Sequence, residues 1–252
     1  MNDNSAVELK EFYDSVIGRV VQRAVRRKVA KLWNDVKGDR IVGVGYTSPY
    51  LNGFLGEAER VVSLMPKQYG AIFWPQNQNG LVTVCNEGEW PIESNSVNRV
   101  IIAHSMNSEE SLDAVLSEAW RVLVGQGRII MIVPNRSGIW ARMDNNPFGH
   151  GSPYSIRQIK TILKEYMFIP EREERALFFP PSSSRVLLAT SGVWEQLGDN
   201  FFNAFGGVNI VEASKQLYAG TLADSASSRL KRKQIVVSTQ AATTSSSGVF
   251  DN

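Results

Sequence analysis

Cysteine is almost absent from this chain, and long apolar runs are absent altogether. Cys85 is the single cysteine among 252 residues, so no disulfide can form within the chain. It lies in the apolar run 81–85, where a small buried side chain is expected. No apolar run approaches the about 18 residues of a membrane span, and the first residues show no signal peptide. We therefore expect a cytoplasmic protein without a membrane segment.

The sequence also lacks the common short motifs of catalysis. It holds two histidines, and no set of His, Cys and acidic residues has the spacing of metal ligands. Neither a Gly-x-Ser-x-Gly motif nor a phosphate-binding loop occurs. No metal centre, serine hydrolase or P-loop enzyme is therefore predicted. The net charge of +2 is too small to indicate a class of partner.

The N-terminal segment has a pronounced basic face. Apolar residues recur every three or four positions over 7–35, a spacing that predicts one long helix. The opposite face carries five basic residues, Arg19, Arg23, Arg26, Arg27 and Lys31. No acidic residue lies between Asp14 and Asp35. The stretch 19–31 is therefore either the solvated face of a helix that covers a sheet, or a surface that attracts phosphates or an acidic protein partner.

Apolar strands and helices alternate through the middle of the chain. Strands are predicted after the opening one at 60–65, 81–85, 99–103 and 128–133, and helices at 49–57, 109–123 and 155–166. The last strands have three candidates, 172–179, 185–189 and 208–213. This alternation predicts an α/β fold with a doubly wound, mostly parallel sheet.

Two segments depart from this alternation. An insertion at 135–153 is rich in Gly, Pro and Asn and follows a strand, where binding sites of parallel sheets are usually built. The segment 223–252 is rich in Ser, Thr and Ala and is expected to be a disordered tail. We therefore predict one domain over 1–222.

The stretch 40–51 reads as a strand, a glycine turn and the start of a helix. Such a turn can hold a nucleotide-like ligand on backbone N–H groups. Gly43 and Gly45 either serve that ligand or allow a helix to pack closely on the strand. The third small residue usual in such turns is missing, because Tyr46 and the three residues after it stand there instead.

Two longer motifs are more specific than the glycine turn. In 90–100, Trp-Pro-Ile-Glu precedes a polar turn and a strand, and in 118–128, Glu-x-x-Arg-Val-Leu precedes a glycine turn and a strand. This pair resembles the class I S-adenosylmethionine-dependent methyltransferases over residues 35–190, and 134–151 is similar to a bacterial subgroup of them. The resemblance implies a seven-stranded Rossmann-like sheet, a methyltransferase and S-adenosylmethionine as the cofactor.

The resemblance also implies a cofactor site. Its candidate residues are Gly43, Gly45, Tyr46, Met65, Asn86, Glu87 and His104. An amide or carboxylate oxygen after the third strand can accept a hydrogen bond from the adenine amino group. The acidic residue that binds the ribose in this family is missing, because the second strand ends in Met65-Pro66-Lys67.

Catalytic and acceptor residues are less well marked. His104 and His150 are the catalytic candidates, each either a general base or a structural loop residue. The candidates for an acceptor pocket are Trp140, Arg142, Phe148 and Tyr154, and an aromatic patch that covers the end of the sheet is the alternative. The acceptor itself, whether a small molecule, a protein or RNA, stays open.

Two functions are compatible with these features. The first is a methyltransferase that uses S-adenosylmethionine. The second is a methyltransferase-like subunit that has lost catalysis and serves as a binding or scaffold protein, which the missing ribose carboxylate favours. A nicotinamide-dependent oxidoreductase would need the same acidic residue and a third glycine.

Overall fold

The computed structural model describes residues 5–76, 79–105, 108–143, 146–149, 152–181, 194–195 and 206–216. The catalytic candidate His150, the candidate strand at 185–189 and the expected tail at 223–252 lie outside the described residues. Among the helices that the structure describes, none has the length and apolar character needed to cross a membrane.

One sheet organises the described part of the chain. Its seven strands are β1 Arg40–Gly45, β2 Arg60–Pro66, β3 Val82–Cys85, β4 Val97–Ala103, β5 Leu123–Pro134, β6 Phe168–Ala176 and β7 Val208–Lys215. Their order is β3-β2-β1-β4-β5-β7-β6. Strands β1 to β5 are parallel, and β7 is antiparallel to both β5 and β6. The predicted doubly wound, mostly parallel sheet is confirmed.

The carboxyl ends of β1 to β5 meet at one edge of the sheet, which we call the carboxyl edge. At this edge Pro134 of β5 and Ala176 of β6 both pair with Val208, the first residue of β7. The connection between β6 and β7 therefore leaves and re-enters the sheet at the carboxyl edge. Ligand sites of parallel sheets are built at this edge.

Helices bury apolar residues on both faces of the sheet. They are α1 Ala6–Asp14, α2 Val16–Leu32, α3 Ser48–Leu51, α4 Glu109–Val122 and α5 Ile156–Glu165. Residues of α1, α2 and α3 belong to one buried apolar cluster, and residues of α4 and α5 belong to the other. The β-strands contribute alternate residues to the two clusters, as expected for a sheet that is covered on both sides.

The predicted single helix at 7–35 is wrong at Ser15. This residue has an extended backbone, with φ of −69° and ψ of 165°, and it ends α1 and caps α2. Its hydroxyl donates to the Phe12 carbonyl oxygen at 2.5 Å and accepts from the Gly18 N–H at 3.0 Å. These local hydrogen bonds compete with those of a continuous helix. The change of direction allows α1 to place Tyr13 near the carboxyl edge.

The predicted crossover helix at 49–57 is also wrong in its extent. Helix α3 has four residues and is followed by turns as far as residue 57. Pro49 stands in its first turn, where the missing N–H is tolerated. Gly56 has φ of +86°, which no residue of a right-handed helix adopts. The apolar residues of this segment are therefore buried by turns instead of by a helix.

The motif at 118–128 holds the loop before β4 against α4. Glu118 in α4 accepts a hydrogen bond from the Trp90 backbone N–H at 2.8 Å. Arg121 donates to the carbonyl oxygens of Ile92 and Trp90 at 2.8 and 3.1 Å. It also forms an ion pair with Glu118 at 2.7 Å. These bonds tie the segment before β4 to α4, so the motif stabilises the scaffold.

A buried carboxylate joins the N-terminal helices to the last strands. Glu212 of β7 has a fully buried side chain and accepts hydrogen bonds from the Trp33 indole at 2.9 Å and from Arg172 at 2.5 and 3.1 Å. Arg128 adds a contact at 3.1 Å. Burial raises the pKa of Glu212, but the hydrogen bonds from the two arginines outweigh it and lower the pKa overall. Glu212 is therefore ionised and well compensated.

Candidate functional site

The glycine turn after β1 packs tightly against neighbouring residues. Gly45 has φ of +80°, and a Cβ built there would overlap the Ala103 carbonyl oxygen and lie 2.7 Å from Ser105 Cβ. A Cβ built on Gly43 would lie 2.6 Å from Leu51 Cδ1 and overlap the side chain of Thr47. Both glycines therefore permit close packing, which is one of the two interpretations offered by the sequence. Their part in cofactor binding stays a prediction.

Three tyrosines and a histidine form a cluster at the carboxyl edge. Tyr13 Oη lies 2.8 Å from His104 Nε2 and 2.5 Å from Tyr50 Oη. The ring of Tyr46 stacks on Tyr13 with centroids 5.6 Å apart. We call Tyr13, Tyr46, Tyr50 and His104 the tyrosine–histidine cluster. The ring of Phe148 lies against it, 5.0 Å from His104 between centroids.

The tyrosine–histidine cluster is electrically neutral near pH 7. Burial raises the pKa of Tyr13, of Tyr46 and of Tyr50, so the phenols keep their protons. Burial also lowers the pKa of His104 to about 4, because it disfavours the charged imidazolium. A neutral imidazole can accept a proton and a phenol can donate one. His104 is therefore unprotonated near pH 7, and its pKa of about 4 makes it a weak base.

We expect the low pKa of His104 to make stability depend on pH. A histidine in the unfolded chain titrates near about 6.5, whereas His104 in the fold titrates at about 4. Between these values the unfolded chain binds more protons, so stability falls as the pH is lowered, by at most roughly 3 kcal/mol. Urea unfolding at about pH 7.5 and about pH 4.5 measures the free energy of unfolding. Its decrease at the lower pH should be smaller for His104→Gln than for the wild type. Equal losses would contradict the assignment.

The other cofactor candidates differ in exposure. Met65 is fully buried at the end of β2. Asn86 is exposed and donates to Glu89 Oε2 at 2.7 Å, and Glu87 accepts from Gln68 Nε2 at 2.9 Å. Both polar residues follow β3, where the prediction places the adenine. Their roles stay predictions.

The acceptor candidates lie in different surroundings. Trp140 is buried, its ring centroid lies 6.0 Å from that of Phe148, and its indole N–H donates to the Phe179 carbonyl oxygen at 2.7 Å. Tyr154 packs against the apolar cluster on the opposite face of the sheet, and Arg142 is exposed. The structure therefore places Trp140 and Phe148 together and Tyr154 apart from them. Their assignment to one acceptor pocket stays a prediction.

Sequence reasoning missed Tyr13 and Ser105. Tyr13 meets His104 across 91 positions of the chain, and no local pattern signals such a contact. Ser105 is 1% exposed, and its hydroxyl has no hydrogen-bond partner in the described part of the chain. A buried hydroxyl without a partner is costly and marks a candidate ligand contact. Its position directly after His104 was the available signal.

Comparisons with known proteins identify the fold. No protein-family model matches the chain, and no curated protein matches it. One similar chain comes from the solved complex of the Haloferax volcanii Trm112 methyltransferase activator with a methyltransferase. It is 12% identical, with a TM-score of 0.55 over 84% of this chain and 95% of that one. A methyltransferase from Archaeoglobus fulgidus that depends on S-adenosylmethionine is 17% identical, with a TM-score of 0.56 over 83% and 98%.

A third similar structure contains bound ligands. Geranyl diphosphate C-methyltransferase from Streptomyces coelicolor, solved with geranyl diphosphate and S-adenosyl-L-homocysteine, is 16% identical. Its TM-score is 0.51, over 75% of this chain and 78% of that one. At such identities the likeness concerns the fold, and the chain has the fold of the class I methyltransferases.

Proposed function

We propose that this protein transfers a methyl group from S-adenosylmethionine to an acceptor. The observation that carries the proposal is the buried hydroxyl of Ser105, which has no partner in the described part of the chain and lies beside Gly45. It stands at the carboxyl edge, between the ends of β1 and β4. A ligand with a charged amino-acid end would satisfy this hydroxyl there.

The residues fit one end of S-adenosylmethionine better than the other. Ser105 and the backbone of the Gly45 turn would hold its amino-acid end. The end of β2, Met65-Pro66-Lys67, offers no carboxylate to its ribose hydroxyls. Asn86 and Glu87 are our candidates for the adenine contact. Most of the binding free energy therefore has to come from the turn after β1 and the loop after β4.

Bound S-adenosylmethionine supplies a methyl group that its sulfonium already activates. The chain has to orient the acceptor and, where the acceptor carries a proton, remove it. His104 is our candidate for that base, because its imidazole is neutral. Since Nε2 lies 2.8 Å from Tyr13 Oη, it would take the proton through the Tyr13 hydroxyl. The bond to Tyr13 fixes the orientation of the ring. His150 stays the second candidate.

Calorimetric titration with S-adenosylmethionine and S-adenosylhomocysteine tests the proposal. Both should bind, and Ser105→Ala should weaken binding roughly tenfold or more, because it removes a hydrogen bond to a charged group. The matched control is Ser63→Ala, which removes another buried hydroxyl without a described partner from the middle of β2. Ser63→Ala should leave the affinity unchanged. The absence of binding by the wild type at millimolar ligand would exclude the methyltransferase.

A scaffold subunit is the second candidate function. It is favoured by the missing carboxylate at the end of β2 and by Tyr13, which occupies Nε2 of His104. Its partner would bind the basic face of α2, where Arg19, Arg23 and Arg27 are exposed. We also propose that the protein acts in the bacterial cytoplasm, in agreement with its single free cysteine.

A further inference from the structure

A cavity of about 450 Å³ lies between α1, α2 and the connections that flank β2. It is lined by Lys10, Tyr13, Asp14, Gln22, Tyr46, Ser48, Pro49, Asn52, Leu55 and 72–76. The cavity adjoins the glycine turn, because Tyr46 and Ser48 belong to both. Residues 135–153, which the sequence suggested as the cover of an acceptor site, do not line it, and neither does His104, although its partner Tyr13 does.

The cavity has several flat aromatic walls. Tyr13, Tyr46, Phe73 and Trp74 all line it. Trp74 is held in place, because its indole N–H donates to Asn52 Oδ1 at 2.9 Å. Phe73 is 64% exposed, which is unusual for so large an apolar side chain. Aromatic walls of this kind favour a flat ring as the ligand.

Polar atoms of three lining residues remain available to a ligand. The Ser48 side chain is 3% exposed, and its hydroxyl makes no hydrogen bond there. The side-chain amide N–H of Gln22 donates to the Pro49 carbonyl oxygen, so the side-chain oxygen can accept a hydrogen bond from a ligand. The side-chain oxygen of Asn52 accepts from the Trp74 indole N–H, so its NH₂ group can donate to a ligand. Such donors and acceptors can pair with the edge of a heteroaromatic base.

The charge around the cavity is positive on one side. Lys10 and Asp14 neutralise each other as an ion pair. Arg19 and Arg26 do not line the cavity, but they stand three and four residues from Gln22, which does, on the same face of α2. A Cβ built on Gly53, next to Asn52, would lie 3.1 Å from Arg26 Nη2. Neither arginine has an ion-pair partner among the described residues, so both can pair with an anionic group of a ligand.

We infer that this cavity binds the methyl acceptor and that the acceptor is a nucleotide, with its base between the aromatic walls and its phosphate at Arg26 and Arg19. That the ligand is the methyl acceptor rests on the proposed function. That the ligand is a nucleotide rests on the cavity alone. A free nucleotide and a residue of single-stranded RNA present the same base and phosphate. Arginine side chains and aromatic rings are common partners of both.

Titration of the full chain with adenosine monophosphate tests the ligand class. Adenosine monophosphate should bind. Adenosine should bind at least about fivefold more weakly, because it lacks the phosphate. Saturating S-adenosylhomocysteine should leave the affinity for the nucleotide unchanged. Competition between the two ligands would overturn the proposal, since the cavity would then be the cofactor site. A short single-stranded RNA that binds more tightly, with a steep salt dependence, would identify nucleic acid as the source.

Two variants and two matched controls locate the site. Phe73→Ala and Arg26→Gln should each weaken binding of adenosine monophosphate about fivefold. Arg27→Gln removes a neighbouring charge of the same helix, and Ile139→Ala removes an apolar side chain that is 56% exposed elsewhere. Both controls should bind normally. Equal binding by all four variants would overturn the location.

Failure of this inference can be separated from failure of the proposed function. Binding of S-adenosylmethionine without binding of adenosine monophosphate would overturn the nucleotide inference alone. Binding of adenosine monophosphate without binding of S-adenosylmethionine would overturn the proposed methyltransferase function and the role of the nucleotide as methyl acceptor. It would still support the cavity as a nucleotide site.

Discussion

Replacement of Glu212 by alanine is expected to destabilise the fold by about 2–4 kcal/mol. The substitution removes the carboxylate that accepts from Arg172 and from the buried indole N–H of Trp33. It also separates the end of α2 from the last strands. Urea unfolding of the wild type and Glu212→Ala, followed by circular dichroism, measures the difference.

Glu171→Ala is the matched control for Glu212→Ala. Glu171 also pairs with Arg128, at 2.8 Å, but its side chain is 30% exposed against 0% for Glu212. An exposed ion pair contributes about 1 kcal/mol or less. The control should therefore cost far less than Glu212→Ala. Similar losses for the two variants would show that burial of the carboxylate does not set its contribution.

Gly45→Ala is expected to cost about 3 kcal/mol or more and to abolish binding of S-adenosylmethionine. A methyl group at this position would overlap the Ala103 carbonyl oxygen, which belongs to the backbone of β4 and cannot move aside alone. The φ of +80° adds strain for any residue with a Cβ. Urea unfolding and calorimetric titration on the same variant measure the two effects.

Gly38→Ala separates strain from overlap. Gly38 has φ of +78°, almost that of Gly45, but nothing lies within 4 Å of a Cβ built there. This variant should cost about 1–2 kcal/mol, the backbone strain alone, and leave binding unchanged. If Gly45→Ala costs no more than Gly38→Ala, then the turn can move away from β4 and the close packing described above is not essential.

The sheet could be predicted from the sequence because its strands are short apolar runs with clear ends. The predicted runs at 60–65, 99–103 and 128–133 all lie within observed strands. Their signal is local, since each strand is buried on both faces and needs apolar residues throughout. The break at Ser15 was missed because the apolar spacing continues through it, although Ser15 stands three residues before Gly18 as an N-cap does.

The candidate site was harder to predict, because it is built from contacts across distant parts of the chain. His104 could be chosen from its position after β4, but Tyr13 could not be paired with it. The exposed Phe73 and the buried Trp74 are adjacent in the sequence, and nothing local distinguishes their burial. The motif around Glu118 and Arg121 was specific for the fold because its bonds hold loops together, and for this reason it carries no information about the acceptor.

The connection between β6 and β7 has a consequence for how this protein can change during evolution. It begins after Ala176 and ends before Val208, and both residues lie at the carboxyl edge, as does Pro134 before the insertion at 135–153. Both segments can therefore change outside their buried residues, such as Trp140, Phe148 and Phe179, while every hydrogen bond of the sheet is kept. Selection can act on these two segments without altering the strands that determine the fold.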